Sequence, residues 1–447
     1  MPVSSADMAV FSEIGRLRRV VVHTPGPEVE QMTPATAREL LYNDIVPIEA
    51  VQREHRGLTE ILSLVADTVE VTTVLDRIVT GSGGVATLAA SMAGGDNAIR
   101  EELLARWYRK TPASVRDDCI LGVPAEVRRL WDLYRKSPYI VPPLPNLYFT
   151  RDAAFLAGKT AYRSVMAGEV RAGEAAIMAR VLEELSVPVS EELTAPVHLH
   201  EEARESSDGA DRRREHRIEG GDVLILDDDT LLLGVGERTA PGGVDALIAA
   251  VAADRERPLR AIVVELPHER ATIHLDMIAT VIGPEEILGY RPLLEGSSAR
   301  RVFTIIAPPG YGARWTIREY PALADAMKTM GYELRIVPCG NDREVVRERE
   351  QWFSGCNSFA LAPRQIVVYR NNTATLDALA KAGYAILDGE DIRGNPERFI
   401  DAAGRFVHDA TAIAIDGIEL ARGGGGPRCM TLPVERDPVQ DEWRKQN

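Results

Sequence analysis

The run ARGGGGPRCM at residues 421–430 brings four glycines up to a single cysteine, Cys429, with Arg422 and Arg428 inside the same stretch. Glycine lets a backbone approach a ligand closely, and successive N–H groups in such a loop form a concave surface that favours an anion. With two arginines adding positive charge, the local expectation is a loop that favours thiolate over thiol, and the thiolate is the nucleophile. A lone cysteine is equally well a buried, inert side chain, so the reading depends on partners elsewhere in the chain.

Partners are present in matching contexts. His274 and Asp276 lie two apart in ATIHLDMIATVIG, a strand-like run, and residues two apart on a strand face the same side. Glu219-Gly220-Gly221-Asp222 puts two acids at the entrance of an apolar strand at 223–226. Asn146 and Asp152 end the short segment NLYFTRD, expected to be extended, and Arg171 and Arg238 sit at helix or strand edges. Each pattern alone has an ordinary structural explanation: a common His-x-Asp pair, a turn, a strand end, a solvated arginine. Together they supply one thiol, one histidine and up to four carboxylates. A site for a carboxylate, phosphate or nucleic acid would not gather acids in this way. A planar cation fits: carboxylates hydrogen-bond a guanidinium in bidentate fashion, a thiolate attacks its central carbon, and histidine supplies and removes protons.

The elements that must position these groups alternate between strand and helix. A strand is expected at 17–23, a turn at Pro25-Gly26, a helix from Thr33-Pro34 through 37–41, a second helix at 47–65 and a strand at 68–74, making a strand–helix–strand unit. Residues 81–145 change to Ala, Leu, Arg and Glu at helical spacing, with helices expected at 97–110 and 124–136, and form a helical insertion. Residues 194–217 are polar and charged, a mobile loop. Its His198, His200, Glu201 and Glu202 are taken as solvated rather than as a metal site. Beyond it come a hairpin of 223–226 and 231–235 over Asp227-Asp228-Asp229, strands at 261–266, 302–306, 332–337, 365–369 and 385–387, and helices at 243–253, 316–330 and 373–381. The fold class is α/β, without a clean sequence repeat.

The 447 residues, 45% of them apolar, can bury a sizeable core. A net charge of −15 argues against a nucleic-acid or anionic-membrane surface and suits a cationic substrate. Cys119, Cys339, Cys356 and Cys429 are too scattered for a disulfide framework and show no zinc spacing. They are expected to be reduced thiols of a cytoplasmic protein. The N-terminal residues lack the apolar core of a signal peptide, and no apolar run is long enough to span a bilayer.

The chain resembles the arginine deiminase family of the guanidino-group-modifying superfamily. The order FTRD (149–152), EGGD (219–222), GERT (236–239), HLD (274–276) and the glycine-rich run ending in RCM (428–430) matches that family, as do GRLRRVVVHTPGPEVEQMTP and RELLYNDI near the N-terminus. The resemblance implies one catalytic domain over 1–447, a five-bladed α/β-propeller of ββαβ units (pentein-like), with the helical insertion separating it from related amidinotransferases. It implies hydrolysis of L-arginine to L-citrulline and ammonia, with an amidinotransferase or a non-catalytic arginine-binding relative as alternatives. By the same resemblance Cys429 is the nucleophile that forms a thiouronium intermediate, and His274 moves protons. Asp152 and Asp276 bind the guanidinium, Glu219 orients His274 and the substrate, and Asn146, Arg171 and Arg238 hold the substrate carboxylate. No metal or organic cofactor is expected, and a homo-oligomer is. Three features depart from the family. Gly424 stands where an arginine is common, Asn43 where an acid is frequent, and the 194–217 segment is long.

Overall fold

The computed structural model describes residues 8–439, apart from 35–36, 38–41, 43, 128, 131–133, 135–136, 194–214, 285, 296–299, 311 and 334. The first strand, Leu17–Val22, is buried at Leu17 and from Val20 onward. Pro47 then precedes helix Ile48–Val65, which turns Val51, Leu58, Ile61 and Leu62 inward, a spacing that lays one apolar stripe along the helix. Strand Asp67–Glu70 returns parallel to the first strand. On the other side of that first strand lies Leu432–Arg436, antiparallel. The two ends of the chain therefore share one sheet, and the glycine-rich run is anchored immediately before its last strand.

Four more sheets follow in sequence order, each opening with an antiparallel hairpin to which a later strand adds in parallel. The first pairs Ala154–Ala157 with Thr160–Arg163 and adds Val189–Ser190. The second pairs Val223–Asp227 with Thr230–Val235 and adds Leu259–Glu265. The third pairs Ala279–Gly283 with Glu286–Gly289 and adds Arg335–Pro338. The fourth pairs Phe359–Ala362 with Gln365–Tyr369 and adds Thr411–Ile415, with Ala385–Asp388 outside it. Helices Ala172–Glu184 and Pro241–Ala253 make the crossovers of the first two. The second sheet is widened by the hairpin Val302–Ala307 and Thr316–Tyr320. The expected strand–helix–strand start, the 223–235 hairpin and the alternating texture are all observed.

Several local expectations are corrected. The strand expected at 68–74 stops at Glu70, and Val71–Thr80 is helical, so the helical region begins earlier than 81. Helices Gly84–Met92, Asn97–Trp107 and Pro112–Leu121 continue it, two of them capped by the side chains of Asp96 and Thr111. The helix expected at 124–136 is not formed at its start: Val123–Pro124 pairs instead with Tyr139–Val141. The helix expected at 316–330 divides into strand Thr316–Tyr320 and helix Leu323–Thr329. Most of the helix expected after Thr33-Pro34, Asn43, and residues 194–214 with their histidines lie outside the described residues. Among the described residues no helix is long and apolar enough to cross a membrane.

Candidate active site

Two elements expected to be strands are turns, and this is what lets their side chains converge. The HLD segment enters a 3-10 turn, Leu275–Met277, with His274 extended at its start and another such turn, Arg270–Thr272, just before it, and the strand begins only at Ala279. The FTRD segment is a single helical turn, Thr150–Ala153, not an extended run. Distant side chains hold the HLD turns. Asp222 Oδ1 accepts the Leu275 N–H at 2.8 Å, and Gln351 Nε2 donates to the carbonyls of Ala271 at 2.6 Å and Met277 at 3.0 Å. Asp222 is thereby an anchor of the histidine loop. Gly221 has a packing reason: a Cβ there would come within 2.6 Å of the His274 ring.

One pocket is lined by Cys429, His274, Asp152, Asn146, Arg171 and Arg238, with Phe149, Ile273, Met277 and Trp352 as its apolar and aromatic walls and Gly424 and Arg270 also on its surface. Glu219 and Asp276 are fully buried behind this lining. All eight residues marked by the sequence therefore fall in one region. His274 Nε2 lies 2.8 Å from Glu219 Oε2, and Nδ1 lies 3.7 Å from Asp152 Oδ1. Burial disfavours the imidazolium, but the charge of Asp152 and the hydrogen bond to Glu219 outweigh it and raise His274 to about 9. Burial likewise works against an ionised Glu219, yet the His274 contact prevails and brings it down to about 2. The pair is an imidazolium against a carboxylate.

The thiol behaves differently from the sequence expectation. Arg422 is turned to Glu419 and Asp44, at 2.8 Å and 2.7 Å. Arg428 is buried and clamped by Glu13 at 3.0 Å and Asp276 at 2.9 Å, and it donates to the Val223 carbonyl. Neither arginine offers the thiol a free charge. Cys429 Sγ instead lies 3.8 Å from Asp276 Oδ2. Burial, followed by the charges of Asp276 and Asp152, pushes the Cys429 thiol well up, so the resting group is neutral. The physical reason is that the sulfur is removed from water and faces two carboxylates, which together outweigh the nearby Arg428.

Buried polar atoms here without a hydrogen-bond partner among the described residues include Asp152 Oδ1, Asp276 Oδ1, Arg171 Nη2 and Arg238 Nε. Arg171 is otherwise bound to Asp152 at 2.8 Å and Glu174 at 2.7 Å. Burial holds Glu174 up near 7 despite that partner. Unpaired buried groups are costly in a folded protein, and both signs of charge are left open together. Asp152, Glu219 and His274 also bring one potential metal-ligand atom each within 4.8 Å of one another. The Arg171 guanidinium lies among the same carboxylates, 3.9 Å from Glu219.

The residues missed by the sequence reading are Glu13, Glu174 and Asn357. Asn357 accepts the backbone N–H groups of Arg428 and Cys429 at 3.0 Å and 3.2 Å. No local pattern marks Glu13 and Asn357, because each acts on a segment far away in the chain, whereas Glu174 lies three residues from its partner Arg171.

A mixed α/β protein of pentein type, with a thiol, an imidazolium and carboxylates at one pocket, is the class that this architecture defines. An amidinotransferase, SxtG of Microseira wollei, is similar in fold with a TM-score of 0.52 and 12% identity over 97% of this chain and 98% of its own. AgrE, solved in a binary complex with L-arginine, is similar with a TM-score of 0.51 and 14% identity, and this chain spans 41% of its length. The arginine deiminase family model matches residues 128–436. Arginine deiminases of Rhodococcus opacus and Mycobacterium avium are 31% and 30% identical, each over 97% of this chain and 99% of the relative. The chain belongs to the arginine deiminase family.

Proposed function

We propose that the chain hydrolyses L-arginine to L-citrulline and ammonia through a covalent intermediate on Cys429. The observation that carries this reading is the set of open buried groups: carboxylate oxygens on Asp152 and Asp276 beside the thiol, and guanidinium nitrogens on Arg171 and Arg238. A substrate with a guanidinium at one end and a carboxylate at the other answers both. The substrate's cation sits against Asp152 and Asp276, and its charge offsets the two anions that hold the thiol neutral. The Cys429 thiol releases its proton to solvent as the cation binds, and the resulting thiolate bonds to the guanidinium carbon. His274, cationic at rest, gives its proton to the departing nitrogen, the C–N bond breaks and ammonia leaves. Neutral His274 next takes a proton from water. The resulting hydroxide adds to the thiouronium carbon, the C–S bond breaks with the thiolate leaving, the proton on the new carbonyl oxygen returns to the sulfur, and citrulline departs. Glu219 holds the imidazole in place, and Asn146, Arg171 and Arg238 hold the substrate carboxylate.

Four sheets of hairpin plus parallel strand, with a fifth in which the first strand pairs antiparallel with Leu432–Arg436 and parallel with Asp67–Glu70, support a five-bladed propeller of ββαβ units closed where the two chain ends meet. The helices around 71–121 fit an insertion within one catalytic domain. Four buried free thiols support a reducing, cytoplasmic setting, and family membership supports a homo-oligomer. The deciding experiment is incubation with L-arginine and no amine acceptor, reading ammonia and a ureido product by mass. Ammonia and citrulline in equal amounts support hydrolysis. Release of product only when an amine is added would indicate amidino transfer, and binding without turnover a non-catalytic relative.

A further inference from the structure

We infer that Asn357 is a positioning residue for the nucleophile, its side-chain amide tying the Cys429 loop to the Asp276 turn and fixing the sulfur against that carboxylate. The inference rests on the function proposed above. Asn357 Oδ1 accepts the N–H groups of both Arg428 and Cys429, at 3.0 Å and 3.2 Å. Its Nδ2 donates to the Asp276 carbonyl at 3.2 Å. One fully buried side chain thus joins the two segments whose side chains meet at 3.8 Å, Cys429 Sγ and Asp276 Oδ2. Asn357 is itself held in place, its N–H bonded to the Ser354 carbonyl at 3.0 Å. It is absent from the pocket lining, so it acts on the reaction through the segments it binds.

The consequence reaches the sulfur's own donors. With the Arg428 and Cys429 N–H groups directed at Asn357, the backbone group that favours the Cys429 thiolate is Gly426. Gly426 packs flush on Asn357, since a Cβ there would lie 2.6 Å from Asn357 Oδ1. Asn357 therefore sets the place of that donor as well. Asparagine alone among similar shapes offers an acceptor and a donor without charge. Aspartate would lose the bond to Asp276 and add a third anion beside a thiol that already faces two.

The test uses Asn357→Asp and Asn357→Ser in the full chain, each checked for a cooperative thermal transition. Two readouts are taken: kcat and KM for L-arginine, and the pH dependence of Cys429 alkylation by iodoacetamide, located by peptide mass. A displaced nucleophile lowers kcat on the order of 100-fold while KM stays near that of the parent. For Asn357→Asp the alkylation profile moves to higher pH, and Asn357→Ser, uncharged, loses kcat with a smaller move that comes from the displaced Gly426 donor alone. If the aspartate variant fails to fold, the kcat-to-KM split of the serine variant decides. Folded variants with parental kcat and an unchanged alkylation profile would overturn the inference. So would a KM effect with kcat preserved, which would place Asn357 at the substrate. Alkylation needs no substrate, so it tests the positioning even if the parent proves inactive on arginine, a result that would sink the proposed function instead.

Discussion

Cys429 Sγ faces Asp276 Oδ2 at 3.8 Å, and the counter-ion of that carboxylate is Arg428 at 2.9 Å. The arginine beside the cysteine in sequence is thus the partner of the acid, not of the sulfur. The resting thiol is neutral, and the site is completed electrostatically by a cation from outside. Arginine turnover should therefore outpace the reaction of Cys429 with uncharged electrophiles of similar size.

Cys429→Ser should abolish turnover while leaving the thermal transition in place, because a hydroxyl is a far weaker nucleophile at neutral pH. Cys119, Cys339 and Cys356 are buried away from the pocket. Their alanine variants should keep kcat and lose only stability, about 1–3 kcal/mol each for small cavities. Trapped adduct mapping to any cysteine other than Cys429 would contradict the assignment.

The pH dependence follows from His274. Its value is about 9 in the folded chain against an ordinary 6.5. Its contribution to stability is fully present below 6.5 and is lost as pH rises through about 9. Glu219, brought down to about 2 from 4.5, contributes above 4.5 and loses that contribution as pH falls toward 2. Proton donation to the leaving ammonia should fail above about 9. Glu219→Gln removes the anion that supports the imidazolium, so the alkaline limb of kcat/KM should move to lower pH. A limb that stays in place would show that another group controls it.

Arg238→Ala should weaken arginine turnover strongly and barely affect agmatine, which lacks the carboxylate. The lost charge-assisted bond amounts to about 1.5–3 kcal/mol in kcat/KM. Arg171→Ala should do more, since it also strips the partner from buried Asp152 and Glu174. A broken buried pair costs about 3–5 kcal/mol of stability. A thermal scan beside the two-substrate kinetics separates binding from folding, and equal losses for both substrates with Arg238→Ala would refute the carboxylate role.

Asp152→Asn and Asp276→Asn keep shape and remove charge, and both should lower kcat by orders of magnitude. Asp276→Asn should also leave Arg428 with Glu13 as its remaining acid. A melting temperature that falls for Asp276→Asn more than for Asp152→Asn is the expected signature. Near-parental rates for both would remove the guanidinium clamp.

Gly424 has φ +108, a left-handed backbone that costs a side chain about 1–2 kcal/mol. Gly424→Arg should lower stability by that order and, with a cation at the mouth, shift the activity profile toward lower pH and sharpen arginine over agmatine. Arg422 is held by Glu419 and Asp44, so Arg422→Ala should leave that selectivity in place. A large shift with Arg422→Ala, and none with Gly424→Arg, would reverse the assignment.

Local chemistry made much of this protein legible in its sequence. Apolar runs such as 17–22 and 365–369 bury on either side of a sheet wherever they are placed, so their strands were readable. The Cys, His, Asp and Glu motifs were readable because a guanidinium demands those groups. What the sequence alone left undecided is set by contacts between distant residues. HLDMI has strand composition, yet Asp222 and Gln351 satisfy its backbone N–H and C=O groups in a turned form, and that competition is invisible in a local window. The same holds for charge. Arg428 stands next to Cys429 in the chain, but Glu13, 415 positions away, and Asp276 bind it. A buried guanidinium goes to the carboxylates that replace its lost water, and only the tertiary fold brings them within reach.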